Sequence, residues 1–170
     1  MNVTVRRVTA RDDSLLPKLR ALLADSVDNG ASVGFLAPLR RESADGYWEG
    51  VLACLGEGRL LWVAEDGGEI IGTVQIDPCA KENGRHRAEL QKLLVHSAHR
   101  GRGIAQQLMD EAEKFARAQG FTLLVLDSEE GSVAERWYGR LGWTRVGSIP
   151  GYAGKLSGEL IATVYYYKNL

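Results

Sequence analysis

The stretch "HRGRGIAQQLMD", His99–Asp110, places a turn rich in glycine and arginine directly in front of a helix pattern. Apolar residues then recur at the spacing of one helix face, at Ile104, Leu108, Ala112 and Phe115. The first backbone N–H groups of a helix have no partner within the helix, and the helix dipole places partial positive charge there. Such groups form a ready site for an anion. The stretch therefore predicts a phosphate-binding turn at the start of a helix.

Two familiar phosphate-binding motifs do not account for this turn. A P-loop needs Gly-Lys-Ser/Thr after four spacer residues, and the chain has no such run. A dinucleotide fingerprint, G-x-G-x-x-G, would need a third glycine after Gly101 and Gly103, but its position is occupied by Gln106. The two glycines leave the backbone open to a ligand, and Arg100 and Arg102 add positive charge. By itself the turn leaves open a flexible basic loop as the alternative.

Composition and charge narrow the function classes. The 170 residues carry a formal net charge of −1, which argues against a broad nucleic-acid or anionic-membrane surface. No apolar run approaches the length of about 18 residues that a membrane span needs. The N-terminus shows neither a signal peptide nor an anchor. Cys54 and Cys79 fit neither a metal-binding spacing nor a disulfide framework. We therefore expect one cytoplasmic domain over residues 1–170, without a metal.

Secondary-structure patterns extend outward from the turn on both sides. Alternating and β-branched runs predict strands at 2–8, 60–65, 69–77, 88–95, 121–127, 143–149 and 160–167. Apolar spacing and capping residues predict helices at 12–30, 39–55, 104–119 and 132–141. The resulting order, β-α-α-β-β-β-α-β-α-β-β, predicts a mixed α/β sheet.

Two segments resemble motifs of the GNAT superfamily of N-acetyltransferases. "VHSAHRGRGIAQQLMDEAEKFA" is similar to its acetyl-CoA motif, whose pattern Q/R-x-x-G-x-G/A is met by Arg100, Gly103 and Ala105. "LDSEEGSVAERWYGRLGWTRVG" resembles the second segment of that family. The resemblance implies the acyl-CoA N-acyltransferase fold, a mostly antiparallel sheet of about seven strands flanked by about four helices. Within the superfamily, "GASVGF", "AELQKLLV", "QLMDE", "GSVAE" and "TRVGSIPGY" resemble tabtoxin-resistance-type acetyltransferases.

The resemblance implies acetyl-CoA as co-substrate and assigns residues to it. The pyrophosphate would lie on the turn formed by Arg100, Gly101, Arg102, Gly103, Ile104 and Ala105. The pantetheine arm would pair with the backbone of a strand that separates from its neighbour, at Leu93, Leu94 and Val95, while the Leu93 and Leu94 side chains pack in the core. Ser132 would cap the last helix and reach pantetheine, in place of the asparagine that many family members carry.

Acetyl transfer needs a proton donor for the sulfur and polarisation of the carbonyl group. Tyr138 is the expected donor, since the family places a tyrosine near the sulfur and a phenol with a pKa of about 10 stays protonated at neutral pH. The alternative for Tyr138 is an aromatic packing residue. The backbone N–H of Val95 would polarise the carbonyl.

Glu89 and Asp127 are the candidate general bases. Strict alternation would place Glu89 on one face with Gln91, Leu93 and Val95, along the strand that carries the thioester. Asp127 ends an apolar strand and would border the cleft. The alternatives are an ion pair of Glu89 with Arg87 or Lys92, and a cap role for Asp127. His86, His96 and His99 are interpreted as loop residues, with His99 near the phosphates.

The acceptor would bind between "NGASVGFLAP" and "IPGYAGKLSGEL", where the family binds it opposite CoA. Its pocket would be shaped by Ser32, Phe35, Tyr152 and Thr163. The resemblance implies a small amine, amino-acid-like or dipeptide-like, such as a toxin or an antimicrobial. Alternatives are a protein or peptide N-acetyltransferase and a non-catalytic CoA-binding module. We expect a monomer or homodimer with neither nucleic acid nor membrane as partner.

Overall fold

The computed structural model describes residues 3–56 and 58–170. Its strands are β1 (Thr4–Val8), β2 (Leu60–Asp66), β3 (Glu69–Pro78), β4 (Arg87–Val95), β5 (Leu123–Glu129), β6 (Thr144–Gly154) and β7 (Leu160–Asn169). Its α-helices are α1 (Leu16–Asp28), α2 (Arg41–Ala53), α3 (Ile104–Ala118) and α4 (Val133–Arg140). Asn2, the predicted start of the first strand, lies outside the described residues.

The strands form one seven-stranded sheet in the order β1-β2-β3-β4-β5-β7-β6. Strands β4 and β5 pair in parallel, and the other neighbouring pairs are antiparallel. The predicted mixed, mostly antiparallel sheet with four helices is thus confirmed.

Each face of the sheet carries its own apolar core. Helix α3 buries Ile104, Leu108 and Ala112 against one face, where Tyr138 of α4 also packs. On the other face α1 and α2 bury a second cluster that includes Trp48. The sheet is therefore covered on both sides, and a ligand can reach its centre only where strands separate.

Several predicted element boundaries differ from the structure. Asp12 caps the first helical segment, as predicted: its carboxylate accepts a hydrogen bond from the Ser14 N–H (3.0 Å) at a short 3-10 turn, and α1 itself begins at Leu16. Strand β6 continues to Gly154, past the predicted end at 149. Strand β5 does not end at Asp127. It continues to Glu129, since its pairing with β7 extends to Thr163. Asp127 therefore lies within a strand and not at its end.

Strand β4 contains a β-bulge that breaks its alternation. Gln91 pairs with Gln75 and Leu94 pairs with Thr73, so two residues of β4 lie opposite one residue of β3. Lys92, in the bulge, has a φ of +48°. The prediction that Glu89, Gln91, Leu93 and Val95 share one face is wrong, because the extra residue reverses the faces. Leu94 belongs to the α1/α2 core, whereas Leu93 and Val95 pack against the α3/α4 core.

Strands β4 and β5 pair only at their first residues. Their register covers Arg87 with Leu123, Ala88 with Leu124 and Glu89 with Val125. Beyond Glu89, β4 continues to Val95 and β5 continues to Glu129 without further pairing between the two strands. The separation expected from the family resemblance is therefore present, and it opens the middle of the sheet.

Within residues 3–56 and 58–170, no helix is both long and apolar enough to cross a bilayer.

Gly72 of β3 lies in tight contact with side chains of α3, and this contact leads to a stability prediction. An added Cβ would lie 3.0 Å from the Leu94 carbonyl oxygen and 3.0 Å from Leu108 Cδ1. We expect Gly72→Ala to lower the free energy of unfolding by about 1–3 kcal/mol through overpacking. The exposed Gly46 of α2 has no neighbour within 4 Å of an added Cβ. Gly46→Ala should raise the free energy of unfolding by up to about 1 kcal/mol.

Urea unfolding with an unchanged m-value measures both changes. Equal effects of the two alanines would contradict the close approach at Gly72.

Candidate active site

A cavity of about 1080 Å³ opens where β4 and β5 separate. Its walls come from the end of β4, the turn before α3, β5, the start of α4, the β6–β7 hairpin and the loop that follows α1. The strand separation thus connects the predicted phosphate turn with both predicted acceptor segments.

Most of the predicted site residues line this one cavity. They are Ser32, Leu93, Leu94, Val95, Arg100, Gly101, Gly103, Ile104, Ala105, Asp127, Ser132, Tyr138, Tyr152 and Thr163. His99 lines it as well. Three predicted site residues, Phe35, Glu89 and Arg102, are outside its lining. Phe35 packs edge-on against Tyr47, with ring centroids 5.6 Å apart, and both belong to the edge of the α1/α2 core.

The turn before α3 has the geometry that a pyrophosphate requires. Gly101 and Gly103 have φ values of +76° and +74°, which disfavour residues with side chains. Gly103 is the N-cap residue of α3 and has no side chain that could accept a hydrogen bond from the first N–H groups of the helix. No heavy atom lies within 4 Å of an added Cβ at either glycine. The turn therefore fits the diphosphate of acetyl-CoA.

An ion and hydrogen-bond cluster fastens this turn to α1. The Asp25 carboxylate accepts hydrogen bonds from the Ser97 N–H (2.7 Å) and the Ser97 hydroxyl (2.6 Å). Although burial acts in the opposite direction, these hydrogen bonds and nearby positive charge lower the pKa of Asp25. Arg100 Nε donates to the Val95 carbonyl oxygen at 3.3 Å. The turn is thus held against the end of β4.

The backbone of Val95 has a donor directed into the gap. The neighbouring His96 N–H donates to the Ile71 carbonyl oxygen at 2.9 Å, toward β3. Because successive N–H groups along a strand point to opposite sides, the Val95 N–H points away from β3. That side of β4 is where β5 has separated. The Val95 N–H can therefore donate to a ligand carbonyl.

Tyr138 is held in the cavity wall by α4. The Ser132 hydroxyl caps this helix by accepting from the Glu135 N–H at 3.0 Å. The Tyr138 ring packs against Trp143 and Tyr166, at centroid distances of 6.0 and 6.1 Å. Burial, together with the negative charge of Asp127, raises the pKa of Tyr138. Its hydroxyl makes no hydrogen bond with another described residue, and it remains protonated at neutral pH.

The two candidate bases occupy different environments. Asp127 lines the cavity, and its Oδ2 accepts a hydrogen bond from the Thr163 hydroxyl at 2.7 Å. Glu89 Oε1 accepts a hydrogen bond from Gln91 Nε2 at 3.0 Å. Within the described part of the chain, neither carboxylate lies within 4.0 Å of a basic side chain. The ion pair considered for Glu89 is therefore absent there.

Sequence reasoning missed Lys92 and Gln91, which also line the cavity. Strict alternation would direct Lys92 to the same face as Leu90, into the α3/α4 core. No sequence signal marked the bulge, which directs the Lys92 side chain toward Tyr47 of α2 instead. On the opposite wall, the hydroxyl groups of Tyr152 and Tyr165 lie 2.8 Å apart in a hydrogen bond.

The model of the acetyltransferase (GNAT) family matches residues 25–143 of the chain. The chain belongs to this family. A relative in Azospirillum brasilense, the N-acetyltransferase of the hisH–hisA intergenic region, is 35% identical over 76% of this chain and 77% of its own length. N-acetyltransferase 8 of Rattus norvegicus is 47% identical over a segment that covers 41% of this chain and 32% of the rat protein.

Solved structures of other acetyltransferases share the fold over almost the whole chain. The ribosomal-protein-alanine N-acetyltransferase from Brucella melitensis is 25% identical, covers 98% of this chain and 99% of its own, and has a TM-score of 0.80. The yncA acetyltransferase from Salmonella typhimurium, solved with acetyl-CoA, is 20% identical, covers 100% of this chain and 95% of its own, and has a TM-score of 0.80. At the level of the family, this GNAT protein is an acetyl-CoA-dependent acyltransferase.

Among residues 3–56 and 58–170, no three His, Cys, Asp or Glu residues converge on a possible metal position. The prediction that the reaction uses no metal stays a prediction.

The phosphate turn leads to a binding prediction. Saturating acetyl-CoA, at about 100 times its Kd, should raise the Tm of the wild-type protein by about 5 to 10 °C. Gly103→Glu should abolish this shift, because it places bulk and negative charge at the phosphates. Gly103→Ala has the same backbone strain without the charge and should retain most of the shift. Thermal unfolding with and without acetyl-CoA measures all three. A full shift in Gly103→Glu would show that the phosphates bind elsewhere.

Proposed function

We propose that this GNAT protein transfers the acetyl group of acetyl-CoA to the amine of a small molecule by direct attack. One observation carries the proposal: a single cavity joins the phosphate turn to Ser32 and Tyr152, the two acceptor segments, with Tyr138 and Asp127 between them. Both substrates can therefore occupy the cavity together, as direct transfer requires.

The binding residues orient the co-substrate along the strand gap. Acetyl-CoA supplies the thioester. The turn 100–105 holds the pyrophosphate through backbone N–H groups, with charge from Arg100 and Arg102. The backbone at Leu93–Val95 pairs with the pantetheine arm, and Ser132 lies at the opposite edge of the gap. The Val95 N–H donates to the carbonyl oxygen and stabilises the negative charge that develops there.

Tyr138 and Asp127 move the protons of the reaction. As the amine nitrogen forms its bond to the carbonyl carbon, the carbon–sulfur bond breaks and the Tyr138 hydroxyl donates a proton to the departing sulfur. Asp127 accepts a proton from the amine, directly or through a water molecule. Its position in the cavity supports Asp127 over Glu89, which lies outside the lining and would act only through water.

The acceptor class is inferred from the side chains on the acceptor side of the cavity. Ser32, Tyr152 and Thr163 line it. These groups suit a compact polar amine that resembles an amino acid or a dipeptide. The resemblance to tabtoxin-resistance-type acetyltransferases supports a toxin or an antimicrobial as acceptor. We propose a single cytoplasmic domain over residues 1–170, acting as a monomer or homodimer.

A protein acceptor is the second candidate. It is favoured by the similarity to the Brucella melitensis protein, which is named for the alanine of a ribosomal protein. Release of free CoA thiol, measured with a panel of amino acids, dipeptides, amine antimicrobials and N-terminal peptides, separates the two. Turnover of peptides alone would overturn the small-acceptor proposal. Absence of turnover with every amine, despite binding of CoA, would indicate the non-catalytic module.

The role of Tyr138 leads to a kinetic prediction. Tyr138→Phe keeps the ring among Trp143 and Tyr166 but removes the proton donor. We expect kcat to fall about a hundredfold or more, while the Kd for acetyl-CoA stays unchanged. Steady-state kinetics and calorimetry measure the two values. An unchanged kcat would leave Tyr138 only its packing role.

The choice of base leads to a second kinetic prediction. Asp127→Asn keeps the size of the side chain but removes the carboxylate that accepts the amine proton, so we expect kcat/KM to fall by about a hundredfold. Glu89→Gln serves as the matched control and should leave kcat/KM near the wild-type value. Steady-state kinetics with an amine that the wild-type protein acetylates measures both variants. If neither variant loses activity, neither carboxylate is the base and the amine binds in its neutral form.

A further inference from the structure

Lys92 occupies an unusual position at the edge of the cavity. It lies in the β4 bulge with a φ of +48°, a region that residues other than glycine rarely adopt. Its carbonyl oxygen accepts a hydrogen bond from the Thr73 hydroxyl at 3.0 Å, which fixes the bulge to β3. Its ammonium group lies over the Tyr47 ring, 5.2 Å from the centroid. The bulge therefore directs this side chain to the α1/α2 side of the sheet, where the acceptor segment lies.

The Lys92 ammonium has no carboxylate partner within the described residues. No acidic oxygen lies within 4.0 Å of it, although Asp127 and Glu89 are near enough to affect it electrostatically. Burial, with the added effect of Arg59, lowers the pKa of Lys92. The nearby Arg59 is itself neutralised by Asp77 at 2.9 Å. A partly buried ammonium without a counter-ion is unfavourable, so an anionic ligand beside it would be stabilising.

The charges around the cavity form a complementary pair. Asp127 presents a carboxylate on β5, and Lys92 presents an ammonium on β4, on opposite sides of the strand gap. An amino acid has the inverse arrangement, with an amine and a carboxylate separated by one carbon atom. Arg100 also lines the cavity, but its guanidinium donates to the Val95 carbonyl oxygen beside the predicted phosphate turn. Lys92 is therefore the cation placed for the acceptor.

We propose that Lys92 is a specificity-determining residue that binds the carboxylate of the acceptor, so that the preferred acceptors are amino acids or peptides with a free carboxylate close to the reacting amine. The proposal rests on the proposed small-molecule acetyltransferase function. The Lys92 ammonium donates to the carboxylate and orients the amine toward Asp127 and toward the thioester carbonyl group whose oxygen accepts from the Val95 N–H.

The test uses the full chain saturated with CoA and matched product analogues. N-acetylalanine, N-acetylmethionine and N-acetylphenylalanine are each compared with their primary amides by titration calorimetry. At least one acid should bind about ten- to a hundredfold more tightly than its amide, as expected for a charged hydrogen bond in a partly buried site. Lys92→Met keeps the side-chain length and the backbone strain, and it should reduce the affinity for the acid to that for the amide. Lys92→Arg should restore part of the preference.

The exposed Lys114 of α3 provides the control for net charge. Lys114→Met should keep the preference for the acid, and an unchanged Tm and CoA affinity verify that both methionine variants fold. The proposal is overturned if no acid binds, if acids and amides bind equally, or if the preference persists in Lys92→Met.

Release of free CoA thiol during turnover is measured separately. If Lys92→Met acetylates amines that lack a carboxylate as fast as the wild-type protein does and these are the preferred acceptors, the role of Lys92 is refuted but the acetyltransferase function stands. If the acids bind but no amine is acetylated, the acetyltransferase function is refuted but the carboxylate-binding role of Lys92 stands.

Discussion

The separation of β4 from β5 is the feature on which the rest of this protein depends. Both strands belong to a sheet that is covered by helices on each face, so its backbone groups would otherwise be paired and closed to ligands. The bulge at Lys92 adds one residue to β4 and turns the strand away from its parallel neighbour. The gap gives a ligand both backbone donors and an apolar interior. Without it the phosphate turn and the acceptor segments would be two unconnected surface features.

The bulge also reassigns the faces on which the side chains of β4 lie. Before it, Glu89 and Gln91 are on one face, and after it Leu93 and Val95 are on the other. Lys92 itself emerges beside Tyr47, on the α1/α2 side of the sheet. One added residue therefore decides which side chains of β4 join each core and where the Lys92 cation lies. The positive φ of this lysine is a strained backbone conformation of the kind that clusters at functional sites.

The charged groups of the site are held by neutral partners, which keeps them available to ligands. Asp127 is positioned by the Thr163 hydroxyl and Glu89 by the Gln91 amide, and neither is committed to a cation. Tyr138 is fixed by ring packing and retains a free hydroxyl within the described residues. Burial keeps this phenol protonated at neutral pH because it disfavours the phenolate.

The sequence by itself determined the element order, the mixed sheet and the glycine-rich turn before α3. These features depend on short-range patterns: the helical spacing after Gly103, the alternation of the strands, and glycines at positions that need a positive φ. The tertiary structure decided which side chains meet. The faces of β4 depend on one extra residue opposite Val74, and the sequence around Lys92 carries no local mark of it. The extension of β5 past Asp127, like the pairing of Asp127 with Thr163, depends on a neighbouring strand more than 30 residues away. Long-range pairing therefore selected the side chains that line the cavity, because local propensity contains no information about which strand lies beside another.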